Sequence, residues 1–387
     1  MPPSNPSGVS NSAANSVRFR QRILSKAGIY FHLGIEEMPA SAQTLSTYIT
    51  AFDDNLDRCR TLSEVRQNLS DPSMQKYEDY QEALERAARL RDQDVSRCSM
   101  QHERRWMMKV NEPVLQLFED GVSEGLLSVN SDYEWANGRD LMHDRRDELN
   151  NPKPDMAYGL AAAVKDKSPN RADWDPLSIS VLEELACDPA IRLIYSPSER
   201  EDIIFPALIY EAKSDSNPIL WAENQAAVGA ARALAILEDL RRVSGLGEES
   251  ARPTVVCLAS AGPLWRVFIA MSEGARGLES SEIVSHEARQ LFCKAETFLT
   301  PVCALSVSFQ HIYPVHPGFL ISDEMQRFRL QVILVNLRRW LLGTYKDFVT
   351  QQLKAIWQQH LIGMTRRRLD GDSDVVPSQS RRDPRTI

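Results

Sequence analysis

Cysteine is sparse and scattered. Cys59, Cys98, Cys187, Cys257, Cys293 and Cys303 form no CxxC pair and have no histidine at ligand spacing. A disulfide framework or a zinc site is therefore not expected, and a reducing compartment, cytoplasm or nucleus, is. No stretch reaches the roughly 18 consecutive apolar residues of a membrane span. The first 16 residues, mostly Pro, Ser, Asn and Ala, lack the basic and apolar regions of a signal peptide or anchor, so no membrane partner is expected. There is no internal repeat, no P-loop, no GxGxxG and no GxSxG, which leaves nucleotide-binding and serine-hydrolase readings without support. His102, His143, His286, His311, His316 and His360 show neither triad nor ligand spacing. Positive charge is short as well: 45 Lys and Arg against 53 Asp and Glu give a formal net charge of −8. Phosphate repels such a chain at long range, so a nucleic-acid ligand would require a locally basic groove.

What is present is a core. The 387 residues are 43% hydrophobic, enough for one large domain or two ordinary ones. Residues 1–16 read as disordered and 17–98 as a helical N-terminal extension. Asp71-Pro72 is a good helix start, followed by Tyr77, Tyr80, Leu84, Ala87, Ala88 and Leu90 at helical spacing. Gln101 to Phe118 is a second helix, with Pro113 as a potential kink. Leu126 to Asn130 and the run after Asp155 read as short strands, and 165–202 as an insertion with a short helix at Ser180 to Ala186. Asn217-Pro218 opens a helix from about Leu220 to Arg242, whose small residues Ala226, Ala227, Gly229, Ala230 and Ala231 allow close approach to a sheet. Thr254 to Ala259, Leu264 to Met271 and Val302 to Tyr313 follow as strands. Ser322 through Trp357 is helical, and 365–387 is an Arg-rich tail. The order helix, strand, strand, strand, helix, strand implies an α/β fold with a mixed central sheet flanked by helices. The basic clusters Arg18, Arg20, Arg22 and Lys26, Arg104, Arg105 and Lys109, and the tail arginines read as solvated faces.

Chemistry concentrates at two strand ends. Ala207-Leu208-Ile209-Tyr210 is an apolar run of the kind buried on both faces, and it ends in Glu211-Ala212-Lys213, the chain's only acid followed two positions later by lysine. Strand alternation puts Glu211 and Lys213 on one face. Pro154-Asp155, the only Pro-Asp pair, begins the other strand. Two carboxylates and an ammonium at neighbouring strand ends suit a hard cation, since Mg²⁺ takes oxygen ligands and keeps several waters. Ligands sharing one such ion lie roughly 3 Å apart, so the two carboxylates must approach within about 3 to 6 Å.

This constellation resembles the PD-(D/E)XK nuclease superfamily over about Ser99 to Met271, with a restriction-endonuclease-like αβββαβ core inside a 99–364 domain. It resembles in particular a nuclease-like branch known mainly from fungal proteins, in which a Glu-x-x-Trp helix, an Asp strand, an E-x-K strand and a Gln-bearing helix precede a Trp-containing hairpin. Glu103 in H-E-R-R-W, Asp155, Glu211, Lys213, Gln225 in A-E-N-Q-A-A-V and Trp265 stand at those places. Glu112 is the other residue able to supply the first-helix carboxylate. The resemblance implies Mg²⁺- or Mn²⁺-dependent hydrolysis of DNA or RNA, with Asp155 and Glu211 as metal ligands and Glu103, Lys213 and Gln225 completing the catalytic set. The competing expectation is a catalytically inactive protein of the same fold, docking a protein partner through its terminal helices.

Overall fold

The computed structural model describes residues 17–32, 34, 38–71, 78–90, 103–131, 133–135, 149, 151–163, 175–198, 202–247, 252–273 and 309–371. The segments 1–16 and 302–308, with His102, His143 and His286 and with Cys98, Cys293 and Cys303, lie outside them. The helices are α1 (Val17–Phe19, continuing as a π-turn over Arg20–Leu24), α2 (Ala40–Thr50), α3 (Asp54–Asp57), α4 (Leu62–Leu69) and α5 (Glu78–Arg89). They continue with α6 (Glu103–Trp106), α7 (Glu112–Ser123), α8 (Ile179–Cys187), α9 (Ile219–Ser244), α10 (Glu324–Trp340) and α11 (Lys346–Gly371). The strands are β1 (Ile29–Phe31), β2 (Leu127–Ser131), β3 (Met156–Leu160), β4 (Ile204–Lys213), β5 (Thr254–Ala261), β6 (Leu264–Glu273), β7 (Phe309–Pro314) and β8 (Phe319–Leu320).

The fold is α/β, an eight-stranded mixed sheet flanked by helices. Its spatial order is β1-β7-β6-β5-β4-β3-β2, with β8 paired to β6. From α7 to β5 the hydrogen-bonded core follows the expected order, and α8 sits in the segment read as an insertion. β4 lies in the middle, antiparallel to β3 and parallel to β5, so both of its faces are covered and its apolar run is continuous. β1 and β8, three and two residues long, are too short to give a periodic signal. β1 pairs in parallel with β7 at the sheet's far edge.

Two departures from simple expectation shape the region around the acidic strand ends. The helix expected over 101–118 is interrupted by a π-turn at Met107–Asn111, and Pro113 sits in the first turn of α7, where its missing N–H costs nothing. At the start of β4 the pairing with β3 slips around Gly159, and Phe205 takes φ 43°, a left-handed conformation that is strained for an aromatic residue. Phe205 is held there by its N–H to the Tyr195 carbonyl (2.8 Å) and by Tyr345 Oη donating to its own carbonyl (2.8 Å). A Cβ on Gly159 would lie 2.3 Å from the Ile204 carbonyl oxygen, so no side chain fits at this slip.

The small-residue run of α9 does what its composition suggests. A Cβ at Gly229 would stand 2.9 Å from Ile209 Cγ2, inside contact distance, so glycine lets the helix axis settle onto β4. The opposite face of the sheet carries Tyr158 against Phe118 of α7 and Tyr210 stacked on Trp265, each pair with ring centroids 5.1 Å apart. Near the C-terminus, Trp340 leads through a π-turn at Leu341–Tyr345 into α11, which continues to Gly371, into the stretch read as tail. His360 of α11 is buried between Asp188 (Nδ1 to Oδ2, 2.7 Å) and Glu184 (Nε2 to Oε1, 2.9 Å) and ties that helix to α8.

Candidate active site

β3 and β4 bring the acidic residues together. Met156 pairs with Tyr210, and continuing this antiparallel register by one residue sets Asp155 opposite Glu211. Glu211 shares its face with Ile209, which touches α9, so the carboxylate points into the space under that helix. Asp155 Oδ2 accepts from the Ala212 N–H at 2.7 Å, which fixes the aspartate across the strand end. The negative charge of Asp155 acts directly on the Glu211 carboxyl.

Lys213 and Glu103 complete the cluster. Lys213 Nζ donates to the Ala212 carbonyl at 2.6 Å and to Glu103 Oε1 at 3.3 Å, and its side chain is only 12% exposed. Glu103 is at the first turn of α6, pinned by buried Trp106 three residues on. Of the two first-helix candidates Glu103 is therefore the one at the site, while Glu112 is exposed to solvent. Gln225 is four residues before Gly229 and hence on the same side of α9. The helix runs back over β4, so one turn before Gly229 corresponds to two residues after Ile209, which puts Gln225 above Glu211. Its Oε1 is buried and makes no hydrogen bond among the described residues.

The electrostatics follow from burial. Glu211 is 4% exposed. Desolvation raises its pKa well above the ordinary 4.5, the Asp155 charge raises it further, and Lys213 opposes both. Burial also raises Glu103, against the pull of Lys213. Two like-charged carboxyls facing each other share a proton unless a cation replaces it. That donor set, hard oxygens with excess negative charge in a buried cleft, fits a divalent ion such as Mg²⁺ or Mn²⁺. Among the described residues no group of three or more His, Cys, Asp or Glu is gathered as a ligand set. Asp155 and Glu211 would thus be the two protein carboxylates of an ion whose other ligands come from water and substrate.

This arrangement predicts an inverted pH dependence of stability. Below pH about 4.5 the folded and unfolded chains both hold the Glu211 proton. From there up to the raised folded value the native state binds more protons than the unfolded state, so stability falls as pH rises. Glu103 contributes with the same sign. In EDTA the Tm is expected to drop as pH rises above about 5, to drop less in Glu211→Gln, and to recover with Mn²⁺. Thermal unfolding across that range checks this; a wild-type Tm that rises throughout would rule out Glu211 as the controlling group.

A neighbouring ion-pair cluster has no signature in the residue pattern. Glu223, 3% exposed at the start of α9, accepts from Arg20 Nη2 through Oε2 and from Arg266 Nη1 through Oε1, each at 2.6 Å. Arg20 also donates from Nε to Asn224 Oδ1 (3.0 Å) and lies 3.6 Å above the Phe31 ring centroid. One of the basic residues read as solvated is thus a clamp joining α1 to α9. Ala259 pairs with both Glu211 and Arg266, so Asp155, Glu211, Ala259 and Arg266 form one row across the same face of four strands.

No family model, curated protein or solved structure matches this chain. No helix among the described residues is long and apolar enough to cross a membrane.

Proposed function

We propose that this chain is a metal-dependent phosphodiesterase of the PD-(D/E)XK type, acting on DNA or RNA. The observation that carries the reading is the meeting of Asp155 and Glu211 across one strand pair, with Lys213 two residues further along β4 and bonded to Glu103. Mg²⁺ or Mn²⁺ bound by Glu211 and the free oxygen of Asp155 would supply a water of lowered pKa and neutralise charge on the phosphate. Lys213, a donor without acceptor capacity, orients that water and offsets negative charge building on the phosphoryl oxygens. Glu103 holds the ammonium in position, and the free Gln225 Oε1 accepts from a water or a substrate donor. Arg104, Arg105 and Lys109 are exposed beside Glu103 and offer positive charge that the net composition lacks.

A second reading, a binding module without catalysis, is favoured by the depth of Glu211, since a proton held by Glu211 removes half of the pair's negative charge without a cation. Incubating the full chain with plasmid, linear duplex, single-stranded DNA and RNA, in Mg²⁺, Mn²⁺ or EDTA, separates the two. Cleavage of at least one substrate that EDTA abolishes is expected. Inert behaviour toward all four, with a partner complex unaffected by Asp155→Ala, would leave only the binding module.

A further inference from the structure

α9 carries a second polar feature, on the flank turned away from the Glu223 clamp. Successive residues turn by about 100°. Taking Gly229, against Ile209, as the centre of the sheet-facing side, Ala226 and Glu223 turn toward β5 and β6. There the Ala226 carbonyl accepts from Cys257 Sγ (3.8 Å) and Glu223 accepts from Arg266. Gln225, Arg232 and Asp239, spaced by seven residues, occupy the opposite flank.

Arg232 is 3% exposed, and its Nε and Nη1 are shielded from solvent without a hydrogen-bond partner. Burial pulls the guanidinium below the ordinary arginine range, and among the described residues no carboxylate acts on it. Asp239, two turns further along α9, pairs with Arg242 through Oδ1, and its Oδ2 is buried without a hydrogen-bond partner among the described residues. An interior guanidinium without a counter-charge is strongly unfavourable, and the Nε–Nη1 edge is a planar fork that matches two oxygens of one oxyanion. Helical side chains lean toward the N-terminus, so the fork lies between the Arg232 and Gln225 turns, within about 10 Å of the Gln225 level.

We propose that the Arg232 flank of α9 is a binding site for one oxyanion, a phosphoryl or carboxylate group held bidentately by Nε and Nη1, distinct from the Asp155–Glu211 pair. Unlike the nuclease reading, it requires neither metal nor cleavage. The test is thermal unfolding of the full chain in inorganic phosphate, sulfate or acetate against chloride at equal ionic strength, with calorimetric titration of whichever anion acts. A saturable Tm rise of a few degrees and one-to-one binding are expected in at least one of the three, which also separates phosphoryl-like from carboxylate ligands. Arg232→Met should abolish the rise and unfold in chloride at or above the wild-type temperature, because the uncompensated charge is gone. Arg232→Lys, which keeps the charge but loses the fork, should fold and bind on the order of 10-fold more weakly or worse. The proposal fails if no oxyanion stabilises the wild type, if the rise survives in Arg232→Met, or if Lys binds as well as Arg. An Arg232→Met protein much less stable in chloride also overturns it, by showing that a carboxylate of the chain itself is the partner.

Discussion

Asp155→Ala and Glu211→Ala are expected to lose Mn²⁺ binding and substrate cleavage together. Changing a partner of a metal ligand typically weakens affinity about 10–100-fold, so deleting one of only two protein carboxylates should weaken it by on the order of 100-fold or more. Cleavage should fall to the EDTA background. The variants differ in what else they disturb. Asp155→Ala also removes the acceptor of the Ala212 N–H, whereas Glu211→Ala relieves a buried acid and opens a small void. Glu211→Gln keeps the volume and removes the charge, which separates loss of a ligand from loss of the fold. Calorimetric Mn²⁺ titration beside the cleavage assay is the measurement. An Asp155→Ala protein that still cleaves in a metal-dependent way would remove the aspartate from the site.

Lys213→Ala is expected to do the reverse, keeping the metal and losing turnover by on the order of 10²-fold or more, the usual effect of deleting one electrostatic stabiliser. Two effects on metal affinity oppose each other. Removing a neighbouring like charge favours the cation, but Lys213 also lowers the Glu211 pKa, so its loss makes the Glu211 proton harder to displace. Binding should therefore stay within a few-fold of wild type at pH 8 and weaken more steeply as pH falls. Glu103→Gln tests the same ammonium from the other side, since it removes the carboxylate charge of the 3.3 Å ion pair while keeping an acceptor and the Lys213 ammonium in place. If Lys213→Ala abolishes Mn²⁺ binding at every pH, the ammonium's role is structural.

The parts of this architecture legible in sequence were those with local causes. β4 was visible because a strand covered on both faces is apolar at every position, and α9 because small residues at helical spacing announce a close-packed helix. Glu211 and Lys213 followed from strand alternation alone. The pairing of Asp155 with Glu211 was legible only as a requirement, because the register that sets them opposite depends on chain 56 residues apart. Other features left no trace. Phe205 is an ordinary aromatic in sequence, and its positive φ comes from a slip imposed by Gly159 and the Tyr195 and Tyr345 contacts. Arg20 reads as a solvated charge because one-dimensional patterning registers a helix's faces and not what lies across from them. Its partner Glu223 stands 203 residues further along the chain.

The parallel pairing of β1 with β7 sets a timetable for biogenesis. Ile29 pairs with Gln310, and the Gly28 carbonyl accepts from the Gln310 N–H at 2.8 Å. The N-terminal strand leaves the ribosome about 280 residues before its partner. At about 5–20 residues per second it waits on the order of 15–60 s, with its backbone edge open, until β7 arrives. Loop closure over so long a span makes pairing at that edge a late and slow step. A nascent chain stalled before residue 309 should hold a protease-resistant centre around β4 and α9 while its first 30 residues stay accessible to chaperones.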